Sequence, residues 1–337
     1  MYILGIESSC DETSAAVVLM EEGKREILSN IVASQIETHR LYGGVVPEIA
    51  SRAHIEAISG ITYEALERAN LKIEDIDCIA VTSHPGLIGA LLVGVNFAKS
   101  LSFAYGIPLV AVNHVKAHVA AAYLEYSQLE APFVSLVVSG GHTSFYNVTA
   151  PTEFIEIGGT RDDAAGEAFD KIGRVIGMPY PAGAAMDKLA YKGDSSAIQL
   201  PSPALAGDNA DFSFSGLKTA ALNYINSERH KGNEPSAADI TASYTKVIVD
   251  AIVKKTDYII KKHQRKRLVL AGGVAANSHI RSALEKLCEK RGVEFCRPSL
   301  SLCSDNAAMV AAAGYFEYLD GNFADTSLNA SANDDGN

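Results

Sequence analysis

The sequence predicts an α/β protein made of two related lobes around a nucleotide cleft. Three observations carry that expectation. YILGIESSCDETSAAVVLM (2–20) reads as apolar strand, small polar turn, apolar strand, and FVSLVVSGGHTSFYNV (133–148) repeats the order with Ser139-Gly140-Gly141 at its turn. IDCIAVTSHPGLIGALLVGVNFAKSLSF (76–103) reads as buried strand, Pro-Gly loop and apolar helix, and RLVLAGGVAANSHIRSALEKL (267–287) repeats that order with a Gly-Gly loop. The chain has 337 residues, enough for about two domains with full-sized cores.

The repeat is one of plan at about a domain's spacing, not of identical residues. Two lobes of this plan, facing each other, would point both hairpin turns into one cleft. Gly-rich turns let backbone N–H groups approach a ligand closely and form anion nests, so such a cleft suits phosphates. A single turn of this kind is an ordinary β-turn; two at matched positions, with two Gly loops opening helices, favour a nucleotide.

Between the two halves, NHVKAH (113–118) places His114 and His118 four apart in an expected helix, on one face. That spacing can share a metal ion, and it also suits two ordinary helix histidines. Metallopeptidases of the H-E-x-x-H kind need a Glu after the first His, and here Val115 stands there, so a peptidase is disfavoured. Asp11 and Glu12 lie in the first hairpin turn, and Glu12 is a candidate for managing a proton.

The net charge is −11, which repels polyanions as a whole, so a nucleic-acid substrate would need a local basic patch or a partner. KKTDYIIKKHQRKR (254–267) is the one dense basic stretch, and it reads first as the solvated end of a helix, favoured by the helix dipole, with nucleic-acid contact as the alternative. The five cysteines form no C-x-x-C pair, which predicts reduced thiols and a cytoplasmic protein. MYILGIESSCDE lacks a basic leader, and the uncharged run 80–98 is broken by polar residues and glycines, so neither a signal peptide nor a membrane span is expected. The acidic, small-residue segment 324–337 is expected to be partly disordered, fraying past about residue 330.

GIESSCDETSAAVV, HRLYGGVVPEIASRAHIE, NHVKAH, VSGGHT, GGTRDDAAGEAFDKIGR, FSFSGLKTA, LAGGVAAN and LCSDNAAM occur in an order that resembles the bacterial TsaD family of tRNA threonylcarbamoyladenosine transferases, formerly labelled glycoproteases. The resemblance runs from residue 3 to about 333. It implies the actin-like ATPase (ASKHA) fold. The expected lobes are 1–128, completed by a returning helix near 305–321, and 129–304. It implies an acyltransferase that moves the threonylcarbamoyl group from threonylcarbamoyl-AMP to the exocyclic amine of the adenosine beside the anticodon, in tRNAs reading codons that begin with A. A nucleotide-binding scaffold or an ATPase of the same fold is the alternative.

Carried over residue by residue, the resemblance puts the metal ligands on His114, His118 and Asp305, and implies one divalent metal, iron(II), with zinc as the other choice. It puts phosphate and threonylcarbamoyl contacts on Val137, Val138, Ser139, Gly140 and Gly141. A ribose carboxylate falls on Asp170, and nucleoside contacts fall on Gly183, Asp187 and Asn277. Asp170 would otherwise be a surface charge beside Lys171 or Arg174, and Asn277 would otherwise cap the next helix. The implied partners are tRNA, a non-catalytic TsaB-like paralogue and a small TsaE-like ATPase. The sequence departs from the family pattern at Ala117, at Ser83-His84-Pro85-Gly86, and at Tyr180-Pro181-Ala182-Gly183-Ala184, where a positive φ at Ala182 would be strained.

Overall fold

YILGIE is apolar up to its last residue, and it forms β1 (Tyr2–Glu7), whose Ile3, Leu4 and Ile6 are fully buried. In this computed structural model, which describes residues 1–334, β1 is an inner strand of a six-stranded sheet. It pairs antiparallel with β2 (Glu12–Glu21), and β2 pairs antiparallel with β3 (Lys24–Ser34). A short α1 (Ile36–Arg40) leads to α2 (Pro47–Arg68), which has Pro at its start, where the missing N–H costs nothing. β4 (Cys78–His84) runs parallel to β1, α3 (Ile88–Tyr105) follows it, and β5 (Leu109–Asn113) runs parallel to β4. The uncharged run 80–98 is thus divided between β4 and α3. By length and composition α3 could cross a membrane; here it packs on β4 and α2. α4 (His114–Glu125) begins directly at the end of β5.

The chain then enters a second unit with a five-stranded sheet. β6 (Phe133–Val138) and β7 (Thr143–Ala150) form its antiparallel hairpin, with β8 (Glu153–Gly159) beyond. α5 (Ala165–Val175), α6 (Gly183–Ala190), α7 (Ser215–His230) and the long α8 (Ala237–His263) follow. β9 (Arg267–Ala271) returns parallel to β6, and α9 (Ser278–Arg291) and β10 (Glu294–Cys296) complete the unit. The matched plan of the sequence is visible in the pairing. In each sheet, the strand before the Gly loop lies parallel to the first hairpin strand, β4 beside β1 and β9 beside β6. The second unit comprises Pro132–Thr149 and Phe154–Arg297.

From Pro298 the chain rejoins the first unit, which otherwise comprises Met1–Ala131 and Ala150–Glu153. α10 (Ala307–Leu319) lies on that unit's sheet against β1 and β4, and β11 (Phe323–Ala324) pairs antiparallel with β5. Small residues allow the close approach of α10. A Cβ on Gly5 would sit 2.1 Å from the Ala307 carbonyl oxygen, nearer than real contacts permit. The segment expected to fray is instead tied down as far as it is described. Lys99 Nζ donates to Leu328 O, Ser331 N to Ser83 O, Gly86 N to Ala332 O, and Asn113 Nδ2 to Asp334 Oδ1. Polar, small side chains need not mean a free backbone when neighbouring groups accept its hydrogen bonds. Residues 335–337 of that expectation lie outside the described residues.

Candidate active site

The first unit gathers a cluster at the starts of two helices. Asn113 caps α4 by accepting from Lys116 N at 3.0 Å, so His114 is the first helical residue and His118 follows one turn later on the same face. Asn306 caps α10 by accepting from Met309 N, and Ser14 Oγ accepts from Ala307 N, which holds Asp305 just ahead of the helix. Asp305 Oδ1 lies 3.2 Å from His118 Nε2 and 3.6 Å from His114 Nε2.

His114, His118 and Asp305 could hold a metal ion. A cation bonded at about 2.1 Å to three such atoms needs neighbouring ligands about 3.0–3.4 Å apart; the two separations to Asp305 are close to that, and all three ligand atoms lie within 4.8 Å of one another. His118 supplies an independent test of fit. It is buried, and neither ring nitrogen has a hydrogen-bond partner among the described residues. A buried imidazole without a hydrogen bond is costly, and a cation shared with Asp305, 3.2 Å away, is the partner that its Nε2 suits. Three protein ligands leave coordination positions open, which is the pattern of reactive sites and not of closed structural ones.

A fully buried carboxylate stands behind the cluster. Glu7 Oε2 is 3.0 Å from His114 Nδ1, and Thr82 Oγ1 donates to the same oxygen at 2.7 Å. Ser9 N donates to Glu7 Oε1 at 2.6 Å, and Ser9 Oγ is 3.1 Å from His114 Nδ1. Burial opposes charge on both partners. For Glu7, the charge and hydrogen bond of His114 outweigh it and hold the carboxyl below its usual range. For His114, Asp305 and then Glu7 outweigh it and lift the imidazole to about 9.

The turn between β1 and β2 is fixed from several sides. His54 Nε2 donates to Cys10 O and its Nδ1 meets Thr13 Oγ1 at 2.7 Å; Gln35 N donates to Asp11 O. Asp11 is buried and Glu12 half-buried, so this turn is not the solvated pair of acids that such turns usually carry. Burial lifts the Glu12 carboxyl to about 9, with the charges of Asp305 and Asp11 adding to it, while Ser34 Oγ donates to Oε1.

The second unit gathers the other residues singled out in the sequence. Val137 and Val138 end β6 with buried side chains, so only their backbones face outward chemistry. Ser139 N is already committed to His142 O at 2.8 Å, which narrows the free turn donors to the N–H groups of Gly140 and Gly141. Gly166 N donates to Ser139 O, joining the turn to the start of α5, and Asp170 lies one turn further along α5. Asp170 Oδ1 accepts from Ala182 N at 2.7 Å, whereas Lys171 pairs with Asp163 and Glu167. Ala182 has φ −85°, so the loop that departs from the family pattern carries no left-handed strain there. Gly183 starts α6. Asp187 accepts from Ser278 N at 2.9 Å and from Ser278 Oγ, and Asn277 caps α9 through Ile280 N.

The TsaD family model, described as tRNA N6-adenosine threonylcarbamoyltransferase, matches residues 26–312. A tRNA N6-adenosine threonylcarbamoyltransferase of Clostridium botulinum (strain 657 / Type Ba4) is 51% identical over 331 residues, covering 98% of this chain and 96% of the relative. The protein of that name from Clostridium perfringens (strain SM101 / Type A) is 51% identical over 331 residues, covering 98% and 97%. The chain belongs to the TsaD family.

Among solved structures, HypF of T. kodakarensis superposes with a TM-score of 0.64 at 14% identity, over 97% of this chain and 48% of that one. At such identity the likeness speaks to fold alone, and the fold of this TsaD-family chain is the actin-like ATPase type. Sequence reading missed Glu7, Ser9 and Thr82, which lie in ordinary strand and turn patterns; only the isolated Glu closing an apolar strand was a signal. In 254–267, expected as the solvated end of a helix, Lys261, Lys262 and His263 do form the last turn of α8, but several of the charges are engaged. Lys255 is buried and donates to Leu205 O and Asn209 O, and Lys261 and Arg291 share Asp257. Arg265 donates to Asn147, and Arg267 pairs with Glu294.

Proposed function

We propose that this TsaD-family transferase moves a threonylcarbamoyl group from threonylcarbamoyl-AMP to the exocyclic amine of the adenosine beside the anticodon, in tRNAs that read codons beginning with A. The observation that carries the reading is the convergence of His114, His118 and Asp305 on one point in a chain of this family. Those residues would hold iron(II), or zinc in its place. When bound, such a cation acts as a Lewis acid toward an acyl oxygen, worth several kcal/mol of transition-state stabilisation.

The chain's own groups supply the remaining parts. The adenine nitrogen forms a bond to the carbamoyl carbon, the bond from that carbon to the phosphate oxygen breaks, and AMP leaves with the electron pair. The amine proton must then reach a base. Glu12 is the candidate. Its carboxyl is lifted to about 9 by burial first, with Asp305 and Asp11 adding to it, so it carries a proton near neutral pH and must give that proton up before it can accept the amine's. The free N–H groups of Gly140 and Gly141 suit the donor's phosphate, where removing one such hydrogen-bond donor costs about 2.7–4 kcal/mol. Asp170, with Gly183, Asp187 and Asn277, is read as the nucleoside side. Asn277 would use its amide nitrogen, because its side-chain oxygen caps α9.

The reading places the protein in the cytoplasm with a TsaB-like paralogue and a TsaE-like ATPase. Reconstitution with tRNA, labelled threonylcarbamoyl-AMP and both partners tests it, with nucleoside analysis of the product. Modified adenosine is expected, with a sharp rise when the partners are added. No product, while a homologue succeeds alongside, defeats the assignment in favour of a nucleotide-binding scaffold.

A further inference from the structure

We infer that Glu7 is a positioning residue for the metal centre, fixing the ring of His114 so that Nε2 faces His118 and Asp305. The inference rests on the metal reading above. Glu7 is the last residue of β1, fully buried, and makes three hydrogen bonds at 2.6, 2.7 and 3.0 Å. Ser9 N and Thr82 Oγ1 each donate to it, so two neighbouring segments, the β1–β2 turn and β4, hold the carboxylate still. It can then only accept from His114 Nδ1–H. A donor at Nδ1 leaves the lone pair of the neutral ring on Nε2, the atom nearest Asp305.

The two histidines differ in this respect. His118 has no hydrogen-bond partner at Nδ1 among the described residues, so no group behind the ring fixes it as Glu7 fixes His114. Glu7 is therefore the polar anchor of the pair. It also balances charge. A divalent ion with two neutral imidazoles and the Asp305 carboxylate leaves one positive charge uncompensated, and Glu7 cancels it inside a buried site. Partners of this kind typically change metal affinity about 10–100-fold when removed.

The test measures zinc affinity of the full chain by competition with a chelating dye, with ¹⁵N imidazole spectra of the zinc-loaded protein beside it. Glu7→Gln keeps the shape but sets an amide NH2 either against Ser9 N–H or against Thr82 Oγ1 and His114 Nδ1 together. Zinc affinity should fall about 10–100-fold, and the hydrogen-bonded Nδ1–H signal of His114 should vanish or shift. Thr82→Val, which loosens the carboxylate without removing it, should weaken zinc by a smaller factor and decides the matter where Glu7→Gln does not fold. Unchanged affinity and an unchanged His114 spectrum in whichever variant folds overturn the role of Glu7 alone. A wild-type protein that binds no zinc overturns the metal reading with it.

Discussion

At the scale of single residues, the centre depends on side chains whose removal has separable effects. His114→Ala, His118→Ala and Asp305→Ala should each lower the metal content of the purified protein together with transfer activity; stoichiometric metal in all three would refute the ligand set. Asp170 makes a different prediction. Its Oδ1 holds Ala182 N, so Asp170→Ala removes a loop anchor as well as the proposed ribose contact. Titration calorimetry should show weaker AMP binding with metal content retained, and unchanged affinity would leave Asp170 as a loop anchor only. The side chains of Val137 and Val138, by contrast, are buried in the sheet, and substitutions there report on packing.

At the scale of elements, Gly5 and His54 show how strands and helices are brought to the site. Gly5→Ala would place a methyl 2.1 Å from Ala307 O, backbone that cannot simply rotate away. α10 must shift and carry Asp305 with it, so stability should fall by about 1–3 kcal/mol or more, and metal content should fall as well. Denaturant melts and metal analysis of the variant check both. His54, on α2, holds Cys10 O and meets Thr13 Oγ1. Burial lowers its imidazole below the ordinary 6.5. The unfolded chain therefore takes up a proton near pH 6.5 that the folded chain refuses until lower pH. The contribution to stability is present above that ordinary value and disappears as pH falls through the depressed folded value. Tm of the wild type should drop more between about pH 7.5 and 5 than Tm of His54→Gln; parallel curves would remove His54 from the acid response.

At the scale of the whole molecule, a net charge of −11 makes the site of tRNA binding a matter of local clustering. Within 254–267, Lys261 is paired with Asp257 and Lys262 lies over the ring of Tyr258, while Arg265 is held by Asn147. This internal pairing reduces the charge on offer, and it implies a smaller contribution than the raw count suggests. If tRNA meets this stretch, charge reversal at Lys261, Lys262, Arg265 and Lys266 flattens the dependence of binding on salt. On a duplex, the log–log slope should change by about 0.9 for each phosphate that is no longer neutralised. Filter binding across a salt series measures it, with metal content as the control that the first unit is intact. An unaltered slope places the tRNA elsewhere.

The duplicated plan, the two hairpin turns and the helical His pair were legible in the sequence because each depends on local periodicity. Strand alternation, glycine at turns and the i, i+4 spacing act over a few residues. Asp305 entered by resemblance to a family, not from any local pattern. What carries it to His114 is α10 lying against β1 through Gly5, which joins distant parts of the chain. The role of Glu7 was marked in the sequence only by an isolated Glu closing an apolar strand, since it lies 107 residues from the ring it holds. Asp187 and Ser278 meet across 91 residues in the same way. The partners of Lys255 and Arg265, and the hydrogen bonds of the segment up to Asp334, were likewise decided by groups from elsewhere in the chain. Local sequence sets which turns and helices form; which buried donor meets which acceptor depends on how those elements pack, because a buried polar group must find its partner wherever the fold brings one.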